Sequence, residues 1–483
     1  MYHRKAWLVM CLMLSTILIL SACAAPAAPP APPPQVIKET VVVTQPGPVV
    51  KETVQVPVTV APVKKQVVEL WSTDNEEYRI QAYEKVAANF MAKNADVDVR
   101  IVPIDEATVS QRIATARGAN RLPDIARVGV ERVAPFLADG ILDVDAATKV
   151  VKELGEDTFH KGVLDLVRTQ DGKYAAVPFD GWIQALWYRS DEFKKLGLNA
   201  PVTWDDIQKA CETLKGKEGN LYGLTLGTDP GQNYGHQVFE QIAMSNGAFP
   251  FDKDKKVVMN SPEMVEALAF YTGLQKCSAP GPNYWQQARQ FYITGQAPML
   301  WYSTYVMDDL VGLQKGIEPT VQGLGDLTGF APKMTGKRGA NATYGTLVVM
   351  TIFKGADADG AVRLLKQMLT GQDYIDILYL APNGKIPVRT TAVADWSKHD
   401  IFKRYPKDVI DTVVNGYNTM QRWAFAPQMG PVERAVIGDM EGRLLVPQAV
   451  SNVVEGKMTP QQAADWLQQR VEELYKTRKA EVK

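Results

Sequence analysis

The constraint that most narrows the fold of this chain is the alternation of two hydrophobic periods along its body. Val67 to Trp71 is a compact apolar run of strand length. Glu77 to Lys93 follows, with Ile80, Tyr83, Val86, Ala87 and Phe90 spaced to share one helical face. From Val97 to Val102 the period drops to two, Val97, Val99 and Ile101 alternating with Asp98 and Arg100 until Pro103 ends the run. A helix over Val109 to Arg117, a strand at Leu122-Pro123-Asp124-Ile125 and a helix toward Phe136, stopped by Gly140, repeat the cycle. Strand and helix in turn predict an α/β fold, and the economical arrangement is a mostly parallel sheet flanked by helices.

The same grammar is concentrated in Gly172 to Ile207. Gly172-Lys173 is a turn, Ala175 to Pro178 a short strand, Asp180-Gly181-Trp182 a polar and aromatic step, and Ile183 to Tyr188 a second apolar run. Ser190-Asp191 opens a helix that stops at Gly197, and Thr203 caps the next, which begins Trp204-Asp205-Asp206. At the far end, Thr459-Pro460 with Gln462 forms a capping box, starting a last helix whose packing face is Ala463, Trp466, Leu467, Val471 and Leu474.

Ahead of this body the composition changes twice. Tyr2-His3-Arg4-Lys5 is basic, Trp7 to Leu20 is apolar but too short to span a bilayer, and Leu20-Ser21-Ala22-Cys23 closes the segment with small residues before a cysteine. Residues 1–22 therefore read as a lipoprotein signal peptide, with an ordinary signal or anchor helix as the plainer alternative. Residues 23–65 are rich in Pro and Val, lack aromatic side chains, and contain Lys38-Glu39-Thr40-Val41 again as Lys51-Glu52-Thr53-Val54. Such a segment buries no core and is expected to be an extended tether.

Charge and motif content exclude several classes. Fifty-three basic against 54 acidic residues give a formal charge of −1, without the basic footprint of a nucleic-acid binder. There is no G-x-S-x-G, H-E-x-x-H or G-x-x-x-x-G-K-[ST]. His160, His236 and His399 lie far apart, and Asp252-x-Asp254 lacks the glycine and closing glutamate of a calcium loop, so neither a metal nor a cofactor is expected. Cys211 and Cys277 are the cysteines of the body, and spacing leaves both a disulfide and two buried thiols open. A pair of carboxylates such as Asp180 and Glu240 facing one cleft would suit glycoside hydrolysis, the main enzymatic alternative.

The order of motifs resembles that of the extracellular solute-binding proteins of ATP-driven importers, in particular the carbohydrate-binding, maltodextrin-binding-like branch. Pro123-Asp124-Ile125 is similar to the family's P-D-[IV] strand, and Ala138-Asp139-Gly140-Ile141-Leu142 to its A-x-G-x-L step. Ser245-Asn246-Gly247 with Asp252-Lys253-Asp254 and Val257 to Ser261 resembles its hairpin. Gly295-Gln296-Ala297-Pro298-Met299 resembles its G-x-A-A-M strand entry with proline for alanine, and Gly384 to Arg389 its G-x-x-P-x-R turn.

The resemblance implies a two-lobed fold of the periplasmic-binding-protein type, each lobe a sheet flanked by helices, with a hinge of crossing strands. Crossings are expected near Pro178 to Gly181, Tyr344 to Val348 and Thr391 to Trp396. The lobes would be 66–179 with 348–395 and 180–347 with 396–483. It also implies lipidation of Cys23, an extracytoplasmic position held to the cell membrane by acyl chains alone, and a monomer working with ABC permease subunits and a separate ATPase.

In such a cleft, pyranose C–H faces stack on aromatic rings and hydroxyls meet planar polar groups. The expected ligand contacts are Trp71, Asp74 and Glu77 from the first loop, Arg127 after the Pro-Asp-Ile strand, and Asp180 and Trp182 at the first crossing. The other half adds His236, Gln237, Tyr302, Ser303 and Tyr305, with Tyr344 at the second crossing and Trp423 near the C-terminal return. Another solute, such as a polyamine, a peptide or a phosphorylated polyol, is the alternative cargo: carboxylates without stacking rings would favour a cation, and arginines a phosphate.

Overall fold

The strands follow the apolar runs closely, and their pairing decides where the polar residues meet. A computed structural model describes residues 65–481 apart from 315, 419 and 427. The signal peptide, the proposed lipidation site Cys23 and the tether up to residue 64 lie outside the described residues. In chain order the strands are β1 (Gln66–Ser72), β2 (Val97–Pro103), β3 (Ile125–Gly129), β4 (Val177–Arg189), β5 (Met299–Ser303), β6 (Thr328–Ala331), β7 (Lys333–Thr335), β8 (Asn341–Thr343), β9 (Gly345–Ile352) and β10 (Ile386–Pro387). The main sheet runs β10-β4-β9-β3-β1-β2, and β5 and β6 attach to β4 beyond that path.

Only the β2-β1-β3 part is parallel, with Val68 opposite Val99 and Leu70 opposite Ile125. β9 enters between β3 and β4 and runs antiparallel to both. The sheet is therefore mixed rather than mostly parallel: β9 returns from a distant part of the chain, and a run buried at all eight positions carries no signal of direction.

The expected pair of short strands around residue 180 is in fact one 13-residue strand. Its first half pairs with β9 and β10, its second half with β5 and β6. At roughly 3.3 Å per residue it extends about 40 Å, long enough to serve two sheets. The Asp180-Gly181-Trp182 step is a register shift between Pro178 and Asp180 instead of a break. Gly181 is required there: a Cβ would meet the Thr346 carbonyl oxygen at 2.7 Å. At the third expected crossing the chain is not a strand. Thr390–Ala392 is a 3-10 turn and Val393–Trp396 a helical turn, with Trp396 fully buried and donating from its indole to the Pro382 carbonyl.

Helices cover the sheets through faces that the sequence marks. In the helix Glu77–Met91, Tyr83, Val86, Ala87 and Phe90 are buried. Thr203 accepts from the Asp206 amide as an N-cap, and Thr459 and Gln462 exchange both bonds of a capping box ahead of Pro460–Glu481. On that last helix Trp466 is only half-buried, because its ring lies under the Arg470 guanidinium at the rim while Leu467 and Val471 take the core. Cys211 and Cys277 form a disulfide between the helix Trp204–Leu214 and the 3-10 turn Leu274–Cys277. Among the described residues no helix is long and apolar enough to cross a membrane.

Candidate ligand-binding site

Where parallel strands end and loops begin, the polypeptide exposes backbone and side chains that the sheet no longer uses, and clefts form there. The C-terminal ends of β1 and β3, the middle of β4, the end of β5 and the start of β9 converge on a cavity of about 290 Å³. That lies at the small end of ligand-binding clefts.

Eight of the thirteen expected contacts line it: Asp74, Arg127, Trp182, Gln237, Tyr302, Ser303, Tyr305 and Tyr344. Trp182 and Tyr344 are paired with ring centroids 5.9 Å apart, and the Tyr305 ring packs onto Gly384, where any Cβ would collide with it.

The other five do not reach the cavity. Trp71 points to the opposite side of β1 from Leu70 and Ser72, and its indole donates to Glu69 at 2.7 Å. Glu77 stands exposed at the start of its helix, accepting from Gln81. His236 and Trp423 are fully buried against each other edge-on, the indole donating to the Ala248 carbonyl. Asp180 is fully buried behind the wall. Asp180 and Glu240, the pair that would have served glycoside hydrolysis, are both absent from the lining and both occupied by arginines.

Three ionic groups make up much of the wall. In the first, Arg127 Nη2 lies 3.0 Å from Asp180 and 3.3 Å from Asp74, while Lys385 contacts both aspartates and Arg79 reaches Asp74 at 2.8 Å. Burial alone would raise the Asp74 carboxyl, but Arg127, Lys385 and Arg79 together hold it well below the usual carboxylate range. Tyr83 adds a hydroxyl donated to Asp74 at 3.0 Å.

The second group is centred on Arg422. Its guanidinium contacts Glu240 at 3.1 Å, Glu441 at 3.0 Å and the Thr346 hydroxyl at 2.9 Å, and it lies 4.7 Å from the centroid of the Tyr344 ring. Glu131 stands 3.9 Å away, and burial together with the Glu441 charge pushes its carboxyl up to about 7.

The third group is Arg289, paired with Asp309 at 3.2 Å and lying over the Trp285 ring at 5.2 Å. Burial raises the Asp309 carboxyl to about 6 against the opposing pull of Arg289. Trp285 in turn meets Tyr302 edge-on at 6.3 Å.

Sequence reasoning missed Arg79, Trp285, Arg289, Asp309 and Arg422. The signal that could have found Trp285 and Arg289 is their spacing of four at the start of Trp285–Ile293, directly ahead of the Gly295 to Met299 motif. Five buried polar atoms of lining residues have no partner among the described residues: Arg127 Nε, Asn233 Oδ1, Arg289 Nε, Asp309 Oδ1 and the Tyr344 hydroxyl. In a protein interior such groups are normally satisfied.

Residues 74–375 match the family model of the bacterial extracellular solute-binding proteins. The chain belongs to that family. Among curated relatives of this solute-binding protein is YcjN of Escherichia coli (strain K12), a putative ABC transporter periplasmic-binding protein, 27% identical over 420 residues that span 84% of this chain and 92% of that one. Among solved structures, maltose-bound MalE3 of T. maritima superposes with a TM-score of 0.69 at 19% identity, over 84% of this chain and 99% of the other. A solute-binding protein of Agrobacterium radiobacter K84 in complex with ribitol gives 0.69 at 20% identity, over 86% and 100%. At these identities the structures establish the two-lobed fold of this solute-binding protein.

Proposed function

We propose that the protein is a lipid-anchored receptor that captures a neutral carbohydrate or sugar alcohol in this cavity and delivers it to the permease subunits of an ABC importer. The observation that carries the reading is the combination of Trp182, Trp285, Tyr302, Tyr305 and Tyr344 with arginines whose charges are already met by carboxylates. An anion such as a phosphorylated polyol needs an unengaged guanidinium fork, and none of Arg79, Arg127, Arg289 and Arg422 lacks a carboxylate partner. A polyamine would leave the aromatic walls without a role. A polyhydroxylated ring uses both, stacking on the rings and bonding to the unpartnered donors and acceptors. Maltose and ribitol, named with the two superposed proteins, are of this class.

The receptor reading also assigns lobes 66–179 with 348–395 and 180–347 with 396–483, closing about β4 and β9. Closure would be driven by contacts that both sides make only with ligand present. The reading further includes processing after residue 22 and acylation of Cys23. Incubation of the purified body with sugars and polyols tests it: a raised melting temperature without any change in the sugar supports a receptor, and release of reducing ends overturns it. Trp182→Ala and Tyr305→Ala are each expected to weaken binding by about 1 to 3 kcal/mol with the fold intact. Unchanged affinity in both would remove the cavity from consideration. Cys23→Ser should move the protein from the membrane to the soluble fraction.

A further inference from the structure

The helix Pro431–Gly442 belongs to one proposed lobe and rests against the other. On its own side Glu433 accepts from the Tyr475 hydroxyl of the last helix at 2.8 Å, and Tyr475 meets Phe251 edge-on at 5.0 Å. Another face packs on Glu131 and the helix Val133–Ala138, which Phe136 ties to Phe353 of the 348–395 segment at 5.8 Å. Two glycines four residues apart allow so close an approach. A Cβ on Gly438 would stand 2.4 Å from the Glu131 carbonyl oxygen and 2.6 Å from the Pro135 ring, and one on Gly442 would stand 2.5 Å from Arg132 Nη1. The contact is also narrow. The ligand cavity, with Glu131 and Glu441 in its lining, lies on one flank, and a second crevice of about 630 Å³ lies on the other, lined from both lobes by Phe136, Asp139, Gly438 and Arg478. A tight seat between two open spaces is either made or broken, because packed contacts do not stretch by small steps.

One ion pair crosses beside the seat. Arg478 of the last helix grips Asp439 with two bonds, Nε to Oδ2 at 2.6 Å and Nη2 to Oδ1 at 2.9 Å, and extends Nη1 to Asp139 Oδ1 at 2.6 Å. Asp439 and Arg478 share a proposed lobe, whereas Asp139, just past the helix Val133–Ala138, is on the other. The crossing bond can open without stranding a charge: Asp139 keeps Arg117 at 3.2 Å, and Arg478 keeps Asp439 together with Glu481 at 3.1 Å. A buried bridge with one partner on each side would leave both charges uncompensated when broken. We propose that the helix Pro431–Gly442, seated through Gly438 on the backbone of Glu131 and locked by the Arg478–Asp139 bond, is a latch that helps hold the two lobes closed. This rests on the receptor reading and its lobe assignment, and adds to them a closing contact that the ligand does not touch.

Of maltose, laminaribiose, lactose, ribitol and mannitol, the compound that binds the wild-type protein most tightly in titration calorimetry serves as the probe. Gly438→Ala and Gly438→Val wedge the seat without removing a cavity residue, and should weaken the probe by about tenfold or more. Arg478→Met should weaken it by about three- to tenfold. Raising sodium chloride to about 0.5 M should weaken wild type but not that variant, although the probe carries no charge. Spin labels at Lys93→Cys and Lys217→Cys, exposed positions on opposite lobes, should shift to longer distances in the wedged variants at a probe concentration that closes wild type. If the Gly438 variants do not fold, as judged by melting without ligand, Arg478→Met and its salt series decide alone. Lowered melting temperatures with unchanged affinity and label distances would make the contact ordinary packing, overturning the latch while leaving the receptor reading intact. Absence of heat from all five compounds with wild type overturns the receptor reading and the latch with it.

Discussion

Two buried charge clusters border the same cavity, and they treat their carboxylates in opposite ways. Around Asp74 and Asp180 three cations converge, Arg79, Arg127 and Lys385, and the Asp74 carboxyl is held far below its ordinary range despite complete burial. Around Arg422 the ratio is reversed: Glu240, Glu441 and Glu131 share one guanidinium, with Arg132 a further 3.6 Å from Glu131. Glu240, bonded by Arg422, His236 and the Trp423 amide, is still lowered against its burial, whereas Glu131, buried beside the Glu441 charge and with its arginines at 3.6 and 3.9 Å, is raised to about 7. Burial is common to all of them. The number of cations and donors per carboxylate decides the sign.

The sharpest way to break this comparison is to remove negative charge from the cation-rich cluster. Asp180→Ala leaves Arg127 and Lys385 buried with Asp74 as their remaining carboxylate, and should destabilise by about 3 to 5 kcal/mol in urea unfolding. A loss under about 1 kcal/mol would mean that water or backbone groups already solvate these cations. Arg422→Met inverts the experiment by leaving Glu240 and Glu441 without their cation, at a cost of about 3 kcal/mol near neutral pH. Because protonation relieves the stranded glutamates, that cost should shrink at pH 5. An equal loss at both pH values would show that the arginine acts through packing on Tyr344 rather than through charge.

The sheet was legible in the sequence where its pattern is local. The two-residue period of Val97 to Ile101 and the helical face of Tyr83 to Phe90 follow from backbone geometry alone. The place of β9 was not legible: its strand partners lie more than 150 residues earlier, and only tertiary pairing gives it a direction. The cavity divides along the same line. Arg127 and Asp74 follow directly from strand ends, but Trp423 was expected in place of its neighbour Arg422, and His236 together with Gln237, although adjacent residues point to different sides. A large aromatic or a histidine attracts attention by type, and type does not say which side of a turn the core takes. Asp180 was chosen for the right neighbourhood and the wrong layer, since its carboxylate serves Arg127 instead of the cavity.

Glu131 gives the comparison a pH signature. Its carboxyl titrates near 7 in the folded protein and near its ordinary value of 4.5 when unfolded. The folded state therefore binds the extra proton between these values. Stability from this group is fully present below about pH 4.5 and is lost as pH rises through about 7. Glu131→Gln abolishes that slope, so the variant should exceed wild type by roughly 3 kcal/mol at pH 8 and match it near pH 4.5. Urea midpoints across pH 5 to 8 measure it. A wild-type curve parallel to that of the variant would mean that Glu131 does not carry the slope.

The smallest effect is expected outside both clusters, and it separates the role of burial from that of pairing. Lys403 and Asp400 are 2.6 Å apart, closer than the arginine pairs of the cavity wall, yet their side chains are 78% and 86% exposed. In water the attraction is screened and the flexible lysine loses rotamer freedom on pairing, so Lys403→Ala should change stability by less than about 0.5 kcal/mol. Against a loss of several kcal/mol for Asp180→Ala, whose pair is longer at 3.0 Å, this would make removal from solvent, and not separation, the variable that matters. A loss above about 1 kcal/mol at Lys403 would contradict that, and would require the short 3-10 turn Asp400–Arg404 to depend on its ion pair for its conformation.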